Sequence, residues 1–302
     1  MISLIFGQAM VYAFLLSMLT IGLTLTYMTT KVPNFAHGDF AVLGIYSTLI
    51  ISKVFSLNPY LGILLGFLAG GLAALILYTL VLRPLLERGA NYIVLMIATV
   101  AYDMILYSII NILADSLNRF YKITTKLFIL QSLDFRILGI PALFITAPTM
   151  SLIMVSSLYL FLNKTKFGIS MRAAIENPSL ASVIGINVNL TYAFSWFISG
   201  GLAGAAGSLM PLWLLCNPDV GVRLIVSIFA ASIVGGLSNI YGAFIGGLLI
   251  GLTEILGTWY LSMSVGTWII PYRPIIPLVI MAVTLLFAPK GLTEVLAKLS
   301  KR

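Results

Sequence analysis

Few side chains here could carry chemistry, and they stand apart. Three acids fall in or at the edge of apolar runs: Asp39 at the start of 40–52, Asp103 within 91–114 and Glu254 within 240–263. An ionisable group at membrane depth is costly, so it is either functional or paired. Such acids can relay an ion or proton, line a polar path, or hold a neighbouring helix by a hydrogen bond. For Asp103 and Glu254 an interhelical hydrogen bond or a protonated acid is the simpler reading, because no basic residue shares their runs. His37 is the single histidine, and the chain has one cysteine. That excludes a histidine/cysteine metal cluster and leaves no nucleophile beside a base. The neighbours of His37, Asn34, Gly38 and Asp39, read as a polar turn at a helix break, although an imidazole there could also sense pH. No G-x-x-x-x-G-K-[ST] phosphate loop occurs, so this chain cannot itself draw energy from ATP.

A second group of residues is suited to docking. The segment 163–189 is basic and polar at its start, with Lys164, Lys166 and Arg172. Ser170 can cap a short helix over 171–176. Asn177 can cap a second, with Pro178 at its first position and Gly185 just past its end. Two short helices with a sharp joint can lie on lipid headgroups. They can also present the small Ala173–Ala174 face to a groove on a soluble partner.

The elements that must position these residues are membrane helices. Of 302 residues, 60% are apolar and 9% charged, against about 25% charged in soluble domains. Long unbroken apolar runs exclude a soluble enzyme, and a barrel would show alternation instead. The expected spans are 6–30, 40–52, 59–82, 91–114, 139–162, 190–215, 222–237, 240–263 and 274–288. This makes eight to ten crossings, with nine preferred. Span 40–52 is too short to cross unaided, and only Ser238 and Asn239 separate 222–237 from 240–263. Short, interrupted segments mark broken helices whose free backbone faces protein or water. Asn34-Phe-Ala-His-Gly-Asp-Phe and Asn239-Ile-Tyr-Gly242-Ala-Phe are alike, as in a chain built from two related halves. Small-xxx-small pairs at Gly66/Gly70, Gly200/Gly204, Gly242/Gly246 and Gly247/Gly251 let helix backbones approach closely.

The net charge is +8, and the basic residues sit between apolar runs rather than in an aromatic-interleaved patch. They serve topology and anionic lipid, not nucleic acid. An apolar stretch running to Thr30 is too long for a cleavable signal. A nine-span chain with its N-terminus outside puts ten basic residues inside, among them Lys31, Arg172, Lys298, Lys301 and Arg302, and seven outside. The 115–138 segment, with four basic residues on the outer side, weakens this bias.

Four stretches resemble one family. Gly168-Ile-Ser-Met-Arg-Ala-Ala-Ile-Glu-Asn-Pro…Ala181-Ser-Val-Ile-Gly-Ile-Asn is similar to the cytoplasmic loop of branched-chain amino acid ABC transporter permeases. Val32-Pro-Asn-Phe-Ala-His-Gly38, Gly235-Gly-Leu-Ser-Asn-Ile-Tyr-Gly-Ala-Phe-Ile-Gly-Gly247 with Glu254, and Phe287-Ala-Pro-Lys-Gly-Leu292 resemble that family's other signatures in order. The match resembles the first type of permease subunit and covers nearly the whole chain. Importers of urea or amides share the pattern. Segment 115–138 carries no motif of the family, and Ser238-Asn239 stands where Gly-Ser is common.

The resemblance implies an all-α polytopic permease fold, with repeat-related halves, as one transmembrane domain over 1–302. It implies a second permease subunit, two ABC ATPase subunits that bind ATP and magnesium, and an extracellular solute-binding protein. No cofactor or metal is expected on this chain. The loop 163–189 would be the coupling element, through Arg172, Ala173, Ala174, Glu176, Asn177, Pro178 and Gly185. The expected substrate path runs by the helix breaks, at Asn34, His37, Gly38, Asp39, Asn239 and Gly242. Gly200, Gly204, Gly246 and Gly251 are expected to pack helices. The expected function is translocation of branched-chain or related amino acids across the cell membrane by alternating access. An ion-coupled transporter using Asp103 or Glu254 is the alternative.

Overall fold

The computed structural model describes residues 2–137 and 139–293. Among these residues the helices are α1 Ile2–Thr30, α2 His37–Leu49, α3 Gly62–Ile76, α4 Arg83–Glu87, α5 Tyr92–Tyr121, α6 Leu143–Lys164, α7 Lys166–Glu176, α8 Pro178–Val183, α9 Val188–Leu209, α10 Val220–Gly235, α11 Ile240–Ser264 and α12 Ile275–Phe287. Single π-turn segments, Ile50–Val54 and Leu77–Leu82, extend α2 and join α3 to α4. The strands β1 Arg136–Ile137 and β2 Ile140–Pro141 form a short antiparallel pair in the α5–α6 connection. Part of the expected basic tail, Lys298, Lys301 and Arg302, lies outside the described residues.

Every apolar run seen in the sequence forms a helix. Six helices are long and apolar enough to cross a membrane: Ile5–Thr30, Pro59–Glu87, Tyr92–Tyr121, Leu143–Lys164, Val188–Leu212 and Ile240–Ser264. The other three runs are α2, α10 and α12, with 13, 16 and 13 residues. At 1.5 Å per residue these helices measure about 20–24 Å, short of the ~30 Å hydrocarbon core. Several helices start on an asparagine or threonine whose side chain accepts a first-turn N–H: Asn91 from Val94, Asn187 from Leu190 and Thr165 from Gly168, each at 3.0 Å.

Helices α1 and α9 are the centre, with 89% and 78% of their apolar windows buried, against 22% for α5 and α6. The glycines explain how so many helices reach α9. The Cα of Gly204 meets the Gly66 carbonyl of α3, that of Gly207 meets Ala41 of α2, and the Gly200 and Gly70 backbones meet each other. A Cβ at any of these positions would lie inside a backbone carbonyl. Gly246 meets Ala231 of α10, and Gly251 meets Ala13 of α1. The expected close-packing role of Gly200, Gly204, Gly246 and Gly251 thus has its geometry. Weak Cα–H bonds and dispersion replace the absent hydrophobic drive.

Two stretches turn back into the bundle. After α1 the chain returns along it, so that His37 Nε2 lies 2.9 Å from the Leu19 carbonyl. Leu19 is about 16 Å up the helix from Thr30, at 1.5 Å per residue. Only there does α2 begin. After α9, the residues 213–219 return likewise and α10 begins at Val220. The run expected as 190–215 therefore ends early, at the short 3-10 turn Met210–Leu212. The first turns of α2 and α10 meet, with Gly38 against the Gly221 carbonyl. From that meeting point they diverge. Helix α2 leads to the α9 C-terminus, where Thr48 donates to the Ser208 carbonyl at 2.8 Å. Helix α10 leads to the α11 N-terminus, where Gly235 meets Gly242. The segment that mirrors 34–39 in space is thus 217–221, not 239–242 as the sequence likeness suggested.

Candidate functional site

The polar centre of the molecule lies where α2 and α10 meet. Asp39 is fully buried in the first turn of α2, and its Oδ1 packs against Gly221 of α10. Among the described residues neither of its carboxylate oxygens has a hydrogen-bond partner. Asn34 Nδ2, His37 Nδ1 and Asn217 Oδ1 are buried and unpartnered in the same two segments. Elsewhere Asn34 Oδ1 accepts from Ala36 N at 3.2 Å. His37 is therefore held on one ring nitrogen, a half-satisfied version of the turn residue expected. Buried polar groups nearly always have partners, so four in one place mark this crossing as unusual.

A cleft of about 700 Å³ opens beside the crossing. Asp103, Met104 and Tyr107 of α5 line it, facing Asp219, Val222 and Arg223 at the start of α10. Tyr107 donates to Asp219 Oδ1 at 2.7 Å, which ties α5 to the re-entrant segment. Asp103 is half-buried and has no hydrogen bond or ion pair among the described residues, so the interhelical bond expected for it is not formed. Arg223 is exposed and also unpaired there.

Glu254 behaves as expected, through a partner from outside its run. It is buried, and Arg273 Nε donates to its Oε1 at 2.6 Å. The Tyr12 hydroxyl lies 3.1 and 3.0 Å from its two oxygens, and the Arg273 guanidinium lies over the Tyr12 ring at 4.4 Å. This trio lines a second cleft of about 360 Å³, which Arg223 also borders.

The remaining expected residues gather at the other end. Asn239 caps α11, accepting from Tyr241 N at 2.9 Å and Gly242 N at 3.3 Å, and Gly242 packs on Gly235. With Ser238, Asn239 borders a pocket of about 270 Å³ whose far wall includes Arg172. Asn239 and Gly242 are thus separated from His37, Gly38 and Asp39. Arg172 donates to Asn163 Oδ1 at 2.8 Å. The cap of α7 is Thr165, not Ser170, whose hydroxyl bonds back to the Lys166 carbonyl at 3.0 Å inside the helix. Asn177 caps α8 as expected, accepting from Leu180 N at 3.0 Å, with Pro178 at the first position and Gly185 past the end at φ +86°. The small face is not free: Ala174 is buried, and Tyr192 of α9 donates to its carbonyl at 3.1 Å, while Ala173 is half-buried. The exposed apolar surface is Leu180, Val183 and Ile184, beside exposed Glu176 and Asn177.

Sequence reading missed Tyr12, Tyr107, Asp219, Arg223 and Arg273. Asp219 and Arg223 carried a usable signal, being charges at the start of a run too short to span. Tyr12 and Tyr107 carried none.

Six long apolar helices, shorter broken ones and ionisable groups at mid-span define a multi-pass membrane protein. Residues 5–289 match the family described as branched-chain amino acid transport system / permease component, and the chain belongs to that family. It is 46% identical, over 99% of its length and 95% of the other protein, to a probable branched-chain amino acid transport permease protein LivH of Methanocaldococcus jannaschii. It is 25% identical to the high-affinity branched-chain amino acid transport system permease protein BraD of Pseudomonas aeruginosa, over 91% of this chain and 90% of that one. A solved structure, PsaBC from Streptococcus pneumoniae in complex with Fab, contains a chain of the same fold. The TM-score is 0.51 at 12% identity, covering 94% of this chain and 91% of that one.

Proposed function

We propose that this chain is a permease subunit of an ATP-driven importer that carries branched-chain amino acids across the cell membrane. The family match along nearly its whole length carries this reading. The chain crosses eight to ten times, with α7 and α8 on the cytoplasmic side, and works with a second permease subunit. Two ATPase subunits hold ATP and magnesium, and an extracellular solute-binding protein delivers the ligand.

The stroke enters at the exposed edge of α8. Leu180, Val183 and Ile184 offer apolar surface that a groove on the ATPase would bury. Helix α7 is tied to α9 through Tyr192 and Ala174, and α9 to α2 and α3 through glycine contacts too close to shear. Movement at α8 is thereby passed to the α2–α10 crossing, where broken helices leave backbone groups free to face a polar solute. The segment 34–39 belongs to that path, whereas Asn239 and Gly242 belong to the coupling end. The test is leucine uptake into proteoliposomes containing the complete transporter and its binding protein. ATP-dependent, vanadate-sensitive uptake is expected. Uptake driven by an ion gradient without ATP would sink the reading.

A further inference from the structure

Asp103 and Arg223 line one cleft at mid-span and do not pair with each other. Among the described residues the ion pairs are Arg83–Glu87, Lys126–Asp115 and Arg273–Glu254. Opposite charges inside a membrane normally pair, and an ionised side chain does not face acyl chains without heavy cost. This face of α5 and α10 therefore meets water or protein. Two charges of opposite sign held apart suit a ligand that carries both.

The helix crossing behind the cleft wall holds further buried polar groups without partners. Asp39 is completely buried, unpartnered, and packed against Gly221, one residue from Val222 in the cleft wall. The buried Oδ1 of Asn217 is unpartnered two residues before Asp219. The first turn of α10, a 16-residue helix, contributes Val222 and Arg223 to the cleft wall, and helix N-termini favour carboxylates.

Resting on the importer reading, we propose that this cleft holds the amino-acid zwitterion in transit. Arg223 and the first turn of α10 receive the α-carboxylate. Asp103 and Asp219 receive the α-ammonium, with Tyr107 fixing the Asp219 carboxylate. Exposed Met104 and Val222 meet the aliphatic side chain.

The test uses the complete transporter in lipid nanodiscs. The native Cys216 is fully buried, so a Ser108→Cys variant places a thiol reporter at the exposed Ser108 on the cleft wall. Leucine at roughly ten times its Kd leaves the site empty about a tenth of the time, so it should slow labelling by a water-soluble thiol reagent about tenfold. Isoamylamine lacks the carboxylate and 4-methylpentanoate the ammonium, and neither should protect. Arg223→Gln should abolish protection and Arg223→Lys should restore it, which separates recognition from folding. A reporter at Ser116, elsewhere on α5, should be indifferent to leucine. Labelling that leucine does not slow, or slows in Arg223→Gln and Asp103→Asn as much as in the parent, overturns the site. If the wild-type complex takes up no leucine at all, the importer reading fails instead.

Discussion

Arg273→Ala is a direct test of how the bundle is closed. Arg273 precedes α12 and reaches Glu254 in the middle of α11, which is 3% exposed. The variant removes one charge-assisted hydrogen bond at 2.6 Å, worth about 1.5–3 kcal/mol. It also removes the guanidinium from the Tyr12 ring at 4.4 Å, worth about 1 kcal/mol at a partly desolvated site. The sum, about 2.5–4 kcal/mol, overlaps the ~3–5 kcal/mol typical of breaking a buried pair. Much of it is the penalty of a carboxylate left with only the Tyr12 hydroxyl. If so, Glu254→Leu combined with Arg273→Met should recover most of the loss, because the double variant strands no charge. Unfolding in mixed micelles with increasing dodecyl sulfate measures both variants, with Arg136→Ala as an exposed control. If Arg273→Ala shifts the midpoint no further than Arg136→Ala, or the double variant is the worst of the series, the pair does not hold α1, α11 and α12 together.

Other substitutions probe separate links. Gly204→Val sets a branched side chain against the Gly66 carbonyl. Overpacking between rigid backbones should cost more than about 3 kcal/mol, visible as lost monodisperse protein after extraction. Gly89→Ala has open space around it but φ of +72°, so only about 1–2 kcal/mol of backbone strain is expected in the same assay. Val183→Glu changes a residue that is 82% exposed. Its stability should stay within about 0.5 kcal/mol of the parent, while ATPase co-purification falls. Asn177→Ala removes the α8 cap and should cost about 1 kcal/mol, read as faster hydrogen exchange at Leu180.

Local rules made much of the fold legible. The apolar runs gave the helices, Asn177-Pro178 and Gly185 gave α8, and small-xxx-small spacing gave the close packing around α9. Each of these depends on a few neighbouring residues. Ser170 failed as a cap because Thr165 lies a full turn earlier and captures Gly168 first. The Ala173–Ala174 face failed because a small face suits an internal helix as well as an external groove, and α9 occupies it. Arg273 could not be assigned to Glu254 because they meet only when a short 3-10 segment folds back on α11.

The re-entrant geometry was hidden for a deeper reason. Hydropathy registers that a segment leaves water, not how far it has travelled. Residues 31–36 and 216–219 read as loops, and 213–215 as the end of a span, yet both stretches climb into the bundle before a helix starts. That choice follows from the glycines at 38 and 221, whose missing side chains let two helix N-termini approach in one place. Two positive helix ends at one point would repel each other across an apolar centre. The fully buried Asp39 side chain lies against the first turn of α10, and its carboxyl oxygens offset that repulsion. The acid is thus a structural requirement of the crossing. It follows that Asp39→Leu should damage the bundle more than Asp39→Asn. The asparagine keeps a polar oxygen toward both helix ends, whereas leucine leaves them facing hydrocarbon. Parallel melting of the two variants decides the point, and equal loss in both would show that the helix ends need no polar group there.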